Sequence, residues 1–451
     1  MGPLQTAKEY IKQNEKNVNP RYRESFHAMP PLNWCNDPNG FTYFQGHYHL
    51  YYQFYPYANK WGPMHWGHAM SLDLIHWEDL DPVLAPDDPH VGCWSGTSLV
   101  NPLDENELLI YYTLHTEDLL GRRENVAFAT SSNGSSFLNK GLVLTGEDIP
   151  EGYSKEDFRD PKIYFENGKY YLLLASNKDS RGCILVYEGA KNSSFSFAFP
   201  IFLDEMGVQA ECPDYLLIGN NGLLLFSSIM EDGSHKSFYA IGKIDFMKKK
   251  YSFRQVEIID FGSAFYAPEV CSSSSKEHYL IAWMENWKEK YPLIEGHDNW
   301  SGGFSLPRSV SIRKGRLEQK IPNSFLDSLG KKEKCLEGEL IKKEGLLSFT
   351  LLYGGSLTLS DPLDPTSFIF FGLHSGSFYC DLTRLKVGAE GRYYSSKGEV
   401  PLKVMMVIDT SSIEIFLGDG EVGSFRFYFE GDSVGLTYSF AQDVSFRRFK
   451  K

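Results

Sequence analysis

The sequence holds no uninterrupted apolar stretch approaching the ~20 residues a membrane-spanning helix needs. It has no surplus of positive charge. Its 45 Lys and Arg stand against 58 Asp and Glu, a formal charge of −13, which disfavours phosphate backbones and anionic membranes as partners and favours solubility. Cysteine is sparse. Cys35, Cys93, Cys183, Cys212, Cys271, Cys335 and Cys380 are scattered and odd in number, without the close spacing of a metal site. Free thiols are therefore expected rather than a disulfide framework. Lys8, Glu9, Lys12, Glu15 and Lys16 break up the first residues, so no secretory signal is visible, and Pro3 spoils the fit of Met-Gly-Pro-Leu-Gln-Thr to a myristoylation signal. A cytoplasmic protein is expected. No Asp-x-Asp-x-Asp-Gly loop is present, and neither a metal nor a cofactor is expected. His65 and His68, three apart, lack a third ligand and read as packing residues. The sequon Asn299-Trp300-Ser301 is expected to be unused.

What the chain does have is aromatic and β-branched residue. Aromatics make up 15% of its 451 residues, which suits strands and the stacking of sugar faces on rings. Asn33 to Gly40 reads Asn-Trp-Cys-Asn-Asp-Pro-Asn-Gly. Pro38 fixes its own φ and biases Asp37 towards an extended conformation, and Asn39-Gly40 turns the chain. A carboxylate mounted this way can be aimed. The arrangement recurs at Arg159-Asp160-Pro161 and, with one residue inserted, at Glu211-Cys212-Pro213. Each instance leads into a β-rich run, a glycine turn and a second β-rich run. Unit starts at Asn36, Trp94, Arg159, Ala210 and Tyr266 lie 58, 65, 51 and 56 residues apart, room for four short strands each. The pattern predicts an all-β chain with a five-bladed β-propeller whose first strands line a central channel. Two stacked sandwiches would explain the strands but not the recurring acids.

The expected organisation is a helix and extension over 1–24, a propeller over 25–322, a linker over 323–336 and an antiparallel β-sandwich over 337–451. The helix is placed at Thr6 to Asn17, and Arg21 to Pro31 is read as extended. In the last domain, strands are expected at Leu346 to Leu352, Ser367 to Leu373, Val404 to Ile408, Ser412 to Leu417 and Ser424 to Phe429, between Gly, Ser and Asp turns. No catalytic constellation is visible there.

Three convergent acids without a His/Cys set suggest hydrolysis of a glycosidic bond, which takes one carboxylate as nucleophile or base and one protonated carboxyl as acid. Burial and neighbouring carboxylates are expected to keep the acid's proton in place. The third acid would bind sugar hydroxyls and steady the developing positive charge.

The three signatures resemble those of glycoside hydrolase family 32, the β-fructosidases. Tyr48 to Phe54, Trp61 to His68, Trp94-Ser95-Gly96, Phe265-Tyr266-Ala267-Pro268, Leu306-Pro307-Arg308 and Val407 to Phe416 are similar to further family stretches, so the likeness runs from about residue 21 onward. The resemblance implies a retaining mechanism. Asp37 would be the nucleophile, Glu211 the acid and then base, and Asp160 the transition-state stabiliser. Asn36, Gln53, Trp61, Ser95 and Arg159 would line the fructose pocket, with Trp94, Tyr266 and Trp287 shaping it. Arg159 would keep Asp160 ionised. Retention needs the Asp37 and Glu211 carboxyls about 5–5.5 Å apart. Cys35 and Ala210 depart from the family's usual residues beside two of the acids, without touching a catalytic carboxylate.

The resemblance implies a β-fructofuranosidase acting on sucrose or short fructo-oligosaccharides. Sucrose-6-phosphate hydrolysis is the close alternative and would need cations near the leaving group; Arg122, Arg123, Lys288 and Lys290 are candidates by chain position. Fructosyl transfer to a sugar acceptor and a non-catalytic carbohydrate-binding protein are the remaining alternatives. The expected partner is a small sugar, with no nucleic acid and no membrane, and a homo-oligomer is left open.

Overall fold

The computed structural model describes residues 2–88, 91–119, 121–191, 195–285, 287 and 298–450. Five antiparallel sheets follow one another along the chain, opening with strands Asn33–Phe44, Val91–Val100, Arg159–Glu166, Gln209–Ile218 and Tyr266–Ser272. Each opening strand is packed beside the next, and the fifth returns to the first, so the five sheets close into a propeller. A short parallel pairing of Trp300–Ser301 with Asn33 and Trp34 helps tie the fifth blade to the first.

The second strands explain why the blades stack. Leu108 to Tyr112, Tyr170 to Ala175 and Leu223 to Phe226 are continuous apolar runs rather than alternating ones. Successive side chains on a strand point to opposite faces, so both faces of each blade must be buried. They are. Leu172 and Leu174 pack against the second blade, while Tyr171, Leu173 and Ala175 pack against the fourth. Leu224 and Phe226 face the third blade, and Leu223 and Leu225 face the fifth. Each of the five junctions has its own core.

Near the axis the blades are joined by side chains bonding to a neighbour's backbone. Asn39 Oδ1 accepts from Gly96 N at 3.3 Å, and the Thr97 hydroxyl donates to Pro161 O and accepts from Ile163 N, both at 2.9 Å. Asp160 Oδ2 accepts from Cys212 N at 2.9 Å, Asp214 Oδ2 from Val270 N at 2.8 Å, and Glu269 Oε2 from Phe41 N at 2.7 Å. These links run from each blade to the next and close the circle. They satisfy backbone groups that the inner strands cannot pair with their own sheet.

Strands from Glu333 to Arg448 form one antiparallel ten-stranded sheet. Two strands, Gly345–Ser360 and Ser433–Arg448, each run 16 residues and bend where their pairing slips between Leu351 and Ser356. Tyr393 and Phe425 belong to the two end strands of the seven-strand path, yet their ring centroids are 5.4 Å apart. Strands spaced about 4.8 Å apart in a flat sheet could not bring those ends together, so the sheet folds face to face into a sandwich around a single core. The sequence reading missed Ser433–Arg448, the longest strand of its closing stretch. It also placed Glu333–Lys334 in a linker, whereas these residues pair with Phe446 and Ser445. Among the described residues, the connector is helical only over Asn323–Asp327.

The N-terminal helix runs Pro3–Asn14, with proline in its first turn, and is followed by a 3-10 turn over Glu15–Asn17. Arg21 to Pro31, expected to be extended, is instead a series of turns and bends. Ser25 N and Phe26 N donate to the Asp409 carboxylate at 2.9 and 3.2 Å, and Tyr22 takes a positive φ of 62°. These bonds wedge the segment between propeller and sandwich. Trp300 and Ser301 of the sequon are buried, and the Asn299 amide donates to Asn17 O.

Candidate active site

Each opening strand carries a bulge at its inner end, between Cys35 and Pro38, Cys93 and Gly96, Glu211 and Asp214, and Tyr266 and Glu269, and opposite Leu173 to Ala175 in the third blade. A bulge lets consecutive side chains leave the alternation of the strand and re-aims them. Asp160, expected to be extended because Pro161 follows it, has φ 58°, and Cys212 and Ala267 before their prolines have φ 45° and 51°. The inter-blade bonds, such as Thr113 Oγ1 accepting from Asp160 N at 2.8 Å, hold this uncommon conformation.

The bulges point into one funnel of roughly 680 Å³ including its open mouth, within the range of small-molecule sites. Asn36, Asp37, Gln53, Trp61, Trp94, Ser95, Arg159, Asp160, Glu211, Tyr266 and Trp287 all line it. Two further residues do so. Arg122 was proposed from the sequence only as a phosphate ligand, and His235 was not singled out; no signal in its Gly-Ser-His-Lys turn marks it. Arg123 is not in the wall and pairs with Asp118. Lys288 and Lys290 lie outside the described residues.

Three acids from three blades converge here. Asp37 Oδ2 accepts from the Ser95 hydroxyl at 2.7 Å. The Cys212 thiol lies 3.6 Å from Asp37 Oδ2 and 3.5 Å from Asp160 Oδ2. Glu211 Oε1 accepts from Arg159 Nη2 at 3.0 Å, and Glu211 Oε2 accepts from the Tyr266 hydroxyl. Asp37 Oδ1 is buried and accepts no hydrogen bond of good geometry from a described residue, although the neighbouring Asn36 amide still favours its charge.

Burial raises the Asp37 carboxyl above the usual range against the opposing Ser95 bond. Burial also raises Asp160, to about 7, even though Arg159 pulls it down. The expectation that Arg159 keeps Asp160 ionised needs correction. Its Nε is 4.0 Å from Asp160, while its terminal nitrogens reach Asp157 at 2.7 Å and Glu211 at 3.0 Å. The guanidinium is spent on those acids, and desolvation of Asp160 wins. Burial alone would make Arg159 a weaker base, but Glu211, Glu124, Asp160 and Asp157 together outweigh it.

His65 and His68 are not arranged as a metal pair. Three residues apart on a strand, they point to opposite faces. His65 Nδ1 meets Pro63 O at 3.0 Å and His68 Nε2 meets His49 Nδ1 at 3.0 Å, with burial lowering the two to about 4 and about 3. Among the described residues, one group has metal-like geometry, Glu24, His27 and Asp409, away from the funnel. Both nitrogens of His27 already face carboxylates, Asp409 at 2.7 Å and Glu414 at 3.0 Å, so an imidazolium occupies the place a cation would take.

Cys35 and Cys212 each adjoin an acid, and a mercurial is expected to inactivate through one of them. Cys35 is fully buried, and Cys212 is partly accessible. Burial also pushes the Cys212 thiol well up, so reaction is slow with reagents that need the thiolate. Mercurial inactivation should vanish in Cys212→Ser and persist in Cys35→Ser; loss at the wild-type rate in Cys212→Ser would contradict this.

The sequence from 27 to 321 matches the family model described as glycosyl hydrolases family 32 N-terminal domain. A raffinose invertase of Escherichia coli is 31% identical, over 91% of this chain and 90% of its own. A sucrose-6-phosphate hydrolase of Bacillus subtilis is 29% identical, over 89% of this chain and 87% of its own. Among solved structures, a family 32 β-fructofuranosidase of Bombyx mori superposes with a TM-score of 0.87 at 26% identity, covering 99% of this chain and 98% of its own. A variant of that enzyme solved in complex with sucrose matches equally well.

Proposed function

The chain belongs to glycoside hydrolase family 32, and on that premise we propose that it is a retaining β-fructofuranosidase releasing terminal fructose from sucrose or a short fructo-oligosaccharide. The observation that supports the reading best is the meeting of Asp37, Asp160 and Glu211, from three blades, in one funnel, with the Cys212 thiol against the first two.

Asp37, on the funnel wall, attacks the anomeric carbon through its carboxylate. Glu211 gives a proton to the departing oxygen, and the C2–O bond to the leaving sugar breaks as the bond to Asp37 forms. The same Glu211 then takes a proton from water, which releases fructose with its β configuration retained. Asp160 bonds ring hydroxyls and stabilises positive charge building on the ring. Asn36, whose amide oxygen accepts from Trp34 Nε1 at 2.9 Å, and Gln53, whose amide donates to Cys93 O at 3.0 Å, are held in fixed orientations for the same ring. Trp61 and Trp287, both partly exposed at the mouth, offer faces to the leaving sugar.

The charge balance of the described residues favours a neutral leaving sugar. Among the described residues, the cations lining the funnel are Arg122 and Arg159. Arg159 is committed to Asp157 and Glu211, and Arg122 gives Nε and Nη2 to Glu124. Among the described residues, a dianionic phosphate on the leaving sugar would find little uncommitted positive charge. We expect kcat/KM for sucrose to equal or exceed that for its 6-phosphate. A tenfold preference for the phosphorylated sugar would reassign the substrate, and transfer products dominating at high sucrose would reassign the reaction.

A further inference from the structure

At the funnel wall, two arginines that line it and two carboxylates behind them alternate in a closed ring. Glu124 Oε1 accepts from Arg122 Nε at 3.0 Å and Nη2 at 2.5 Å. Glu124 Oε2 accepts from Phe158 N at 3.0 Å and lies 3.5 Å from Arg159 Nη1. Asp157 Oδ1 accepts from Arg159 Nη1 at 2.7 Å and lies 3.7 Å from Arg122 Nη2. The Glu124 side chain is wholly buried, whereas Asp157 is 29% exposed. Glu124 belongs to the second blade, in strand Gly121–Ser131, and Arg159 opens the third. Nothing in the reaction described above calls on Glu124.

We propose that Glu124 is a positioning residue for the proton donor, setting the place of Glu211 through Arg159. The inference rests on the assignment of Glu211 as the acid. The guanidinium is a rigid plane, so fixing Nη1 fixes the direction of Nη2. Arg159 Nη2 bonds Glu211 Oε1 at 3.0 Å. Glu124 holds this arginine twice, at its head and through the amide of the preceding residue, Phe158. A charge buried this completely is kept only when paired. Burial alone would raise its carboxyl, but His115, Arg159 and Arg122 hold it below the usual range. Without Glu124, the head of Arg159 is free to settle on Asp157, already at 2.7 Å, and to swing from Glu211 towards Asp160.

A displaced acid hurts a substrate whose leaving group needs a proton. It hardly hurts one whose leaving group departs as a stable anion. The test measures kcat/KM of wild type, Glu124→Ala, Glu124→Gln and Glu211→Gln on sucrose and on a nitrophenyl β-D-fructofuranoside, with near-UV circular dichroism of each. Glu124→Ala is expected to lose about 100-fold on sucrose, as for a group moved by an ångström, and less than about threefold on the nitrophenyl fructoside, which needs no acid. Glu124→Gln keeps an acceptor for Phe158 N or one arginine and should lose less, with the same selectivity. A purely structural role would lower both substrates together.

If Glu211→Gln is selective and Glu124→Ala loses equally on both substrates, or loses nothing, the positioning role is overturned while the acid assignment stands. If Glu211→Gln is not selective, the acid assignment fails and takes this inference with it. Should Glu124→Ala fail to fold, Glu124→Gln decides by the same comparison.

Discussion

Replacing Asp37 by Asn is expected to lower kcat on sucrose by at least about 10⁴-fold, because the covalent intermediate can no longer form. The substitution keeps the shape of the side chain and an oxygen to accept from the Ser95 hydroxyl, which bonds Oδ2 at 2.7 Å in the native enzyme. What it removes is the charged nucleophile. Its effect on stability has the opposite sign. Burial raises the Asp37 carboxyl above its unfolded value, so the ionised form is disfavoured in the fold at neutral pH and its removal leaves stability unchanged or higher. The expected variant is therefore inactive, folded and at least as heat-resistant as the wild type. Residual turnover within tenfold of wild type would remove Asp37 from the nucleophile's role. A large fall in Tm would mean that the acid is structural.

Truncating His27 to Ala should be the most costly single change to stability, about 3–5 kcal/mol, the usual penalty for breaking a buried ion pair from one side. His27 stands where the N-terminal segment, the propeller and the sandwich meet. Its ring bridges Asp409 and Glu414. Glu414 is also held by Arg308 at 2.7 Å and by Leu306 N at 2.7 Å, and Arg308 reaches Asp260 at 2.8 Å. Losing the imidazolium leaves two buried carboxylates short of a cation, with Arg308 and backbone amides compensating in part. The pH dependence follows from its sign. Burial alone would lower His27, but its bonds to Asp409 and Glu414 raise it to about 10, above its ordinary value near 6.5. A raised folded value stabilises fully below pH 6.5 and is lost as pH climbs towards 10. Wild type should therefore lose stability over that window relative to His27→Ala. Parallel melting curves for both proteins between pH 6.5 and 10 would contradict the account.

The acids were legible because proline marked them. Pro38, Pro161 and Pro213 each interrupt strand pairing and force a bulge, and three such marks at similar unit positions are a pattern rather than an accident. The blades were legible in the spacing of the unit starts, whereas the continuous apolar runs from Leu108, Tyr170 and Leu223, which have to be covered on both faces, went unused. Left-handed backbone at Asp160 and Cys212 was not legible. It depends on bonds from another blade, and residues before proline are ordinarily extended. Nor was His27, a single polar residue between Phe26 and Ala28 whose partners lie more than 380 residues away. Arg122 and Glu124 sit two apart on one strand face, but their neighbours gave no sign that this face turns inward. The strand Ser433–Arg448 was hidden by its own irregularities, positive φ at Phe440 and Asp443 and polar residues at the bend.

Trapping the covalent intermediate identifies the nucleophile. In Glu211→Gln, the nitrophenyl fructoside can still load the enzyme, while the base that activates water is gone. Rapid quenching and peptide mass spectrometry should then find one anhydrohexose on the peptide containing Asp37, at that residue. An adduct on Asp160, or no adduct together with release of α-fructose, would contradict a retaining enzyme with Asp37 as its nucleophile.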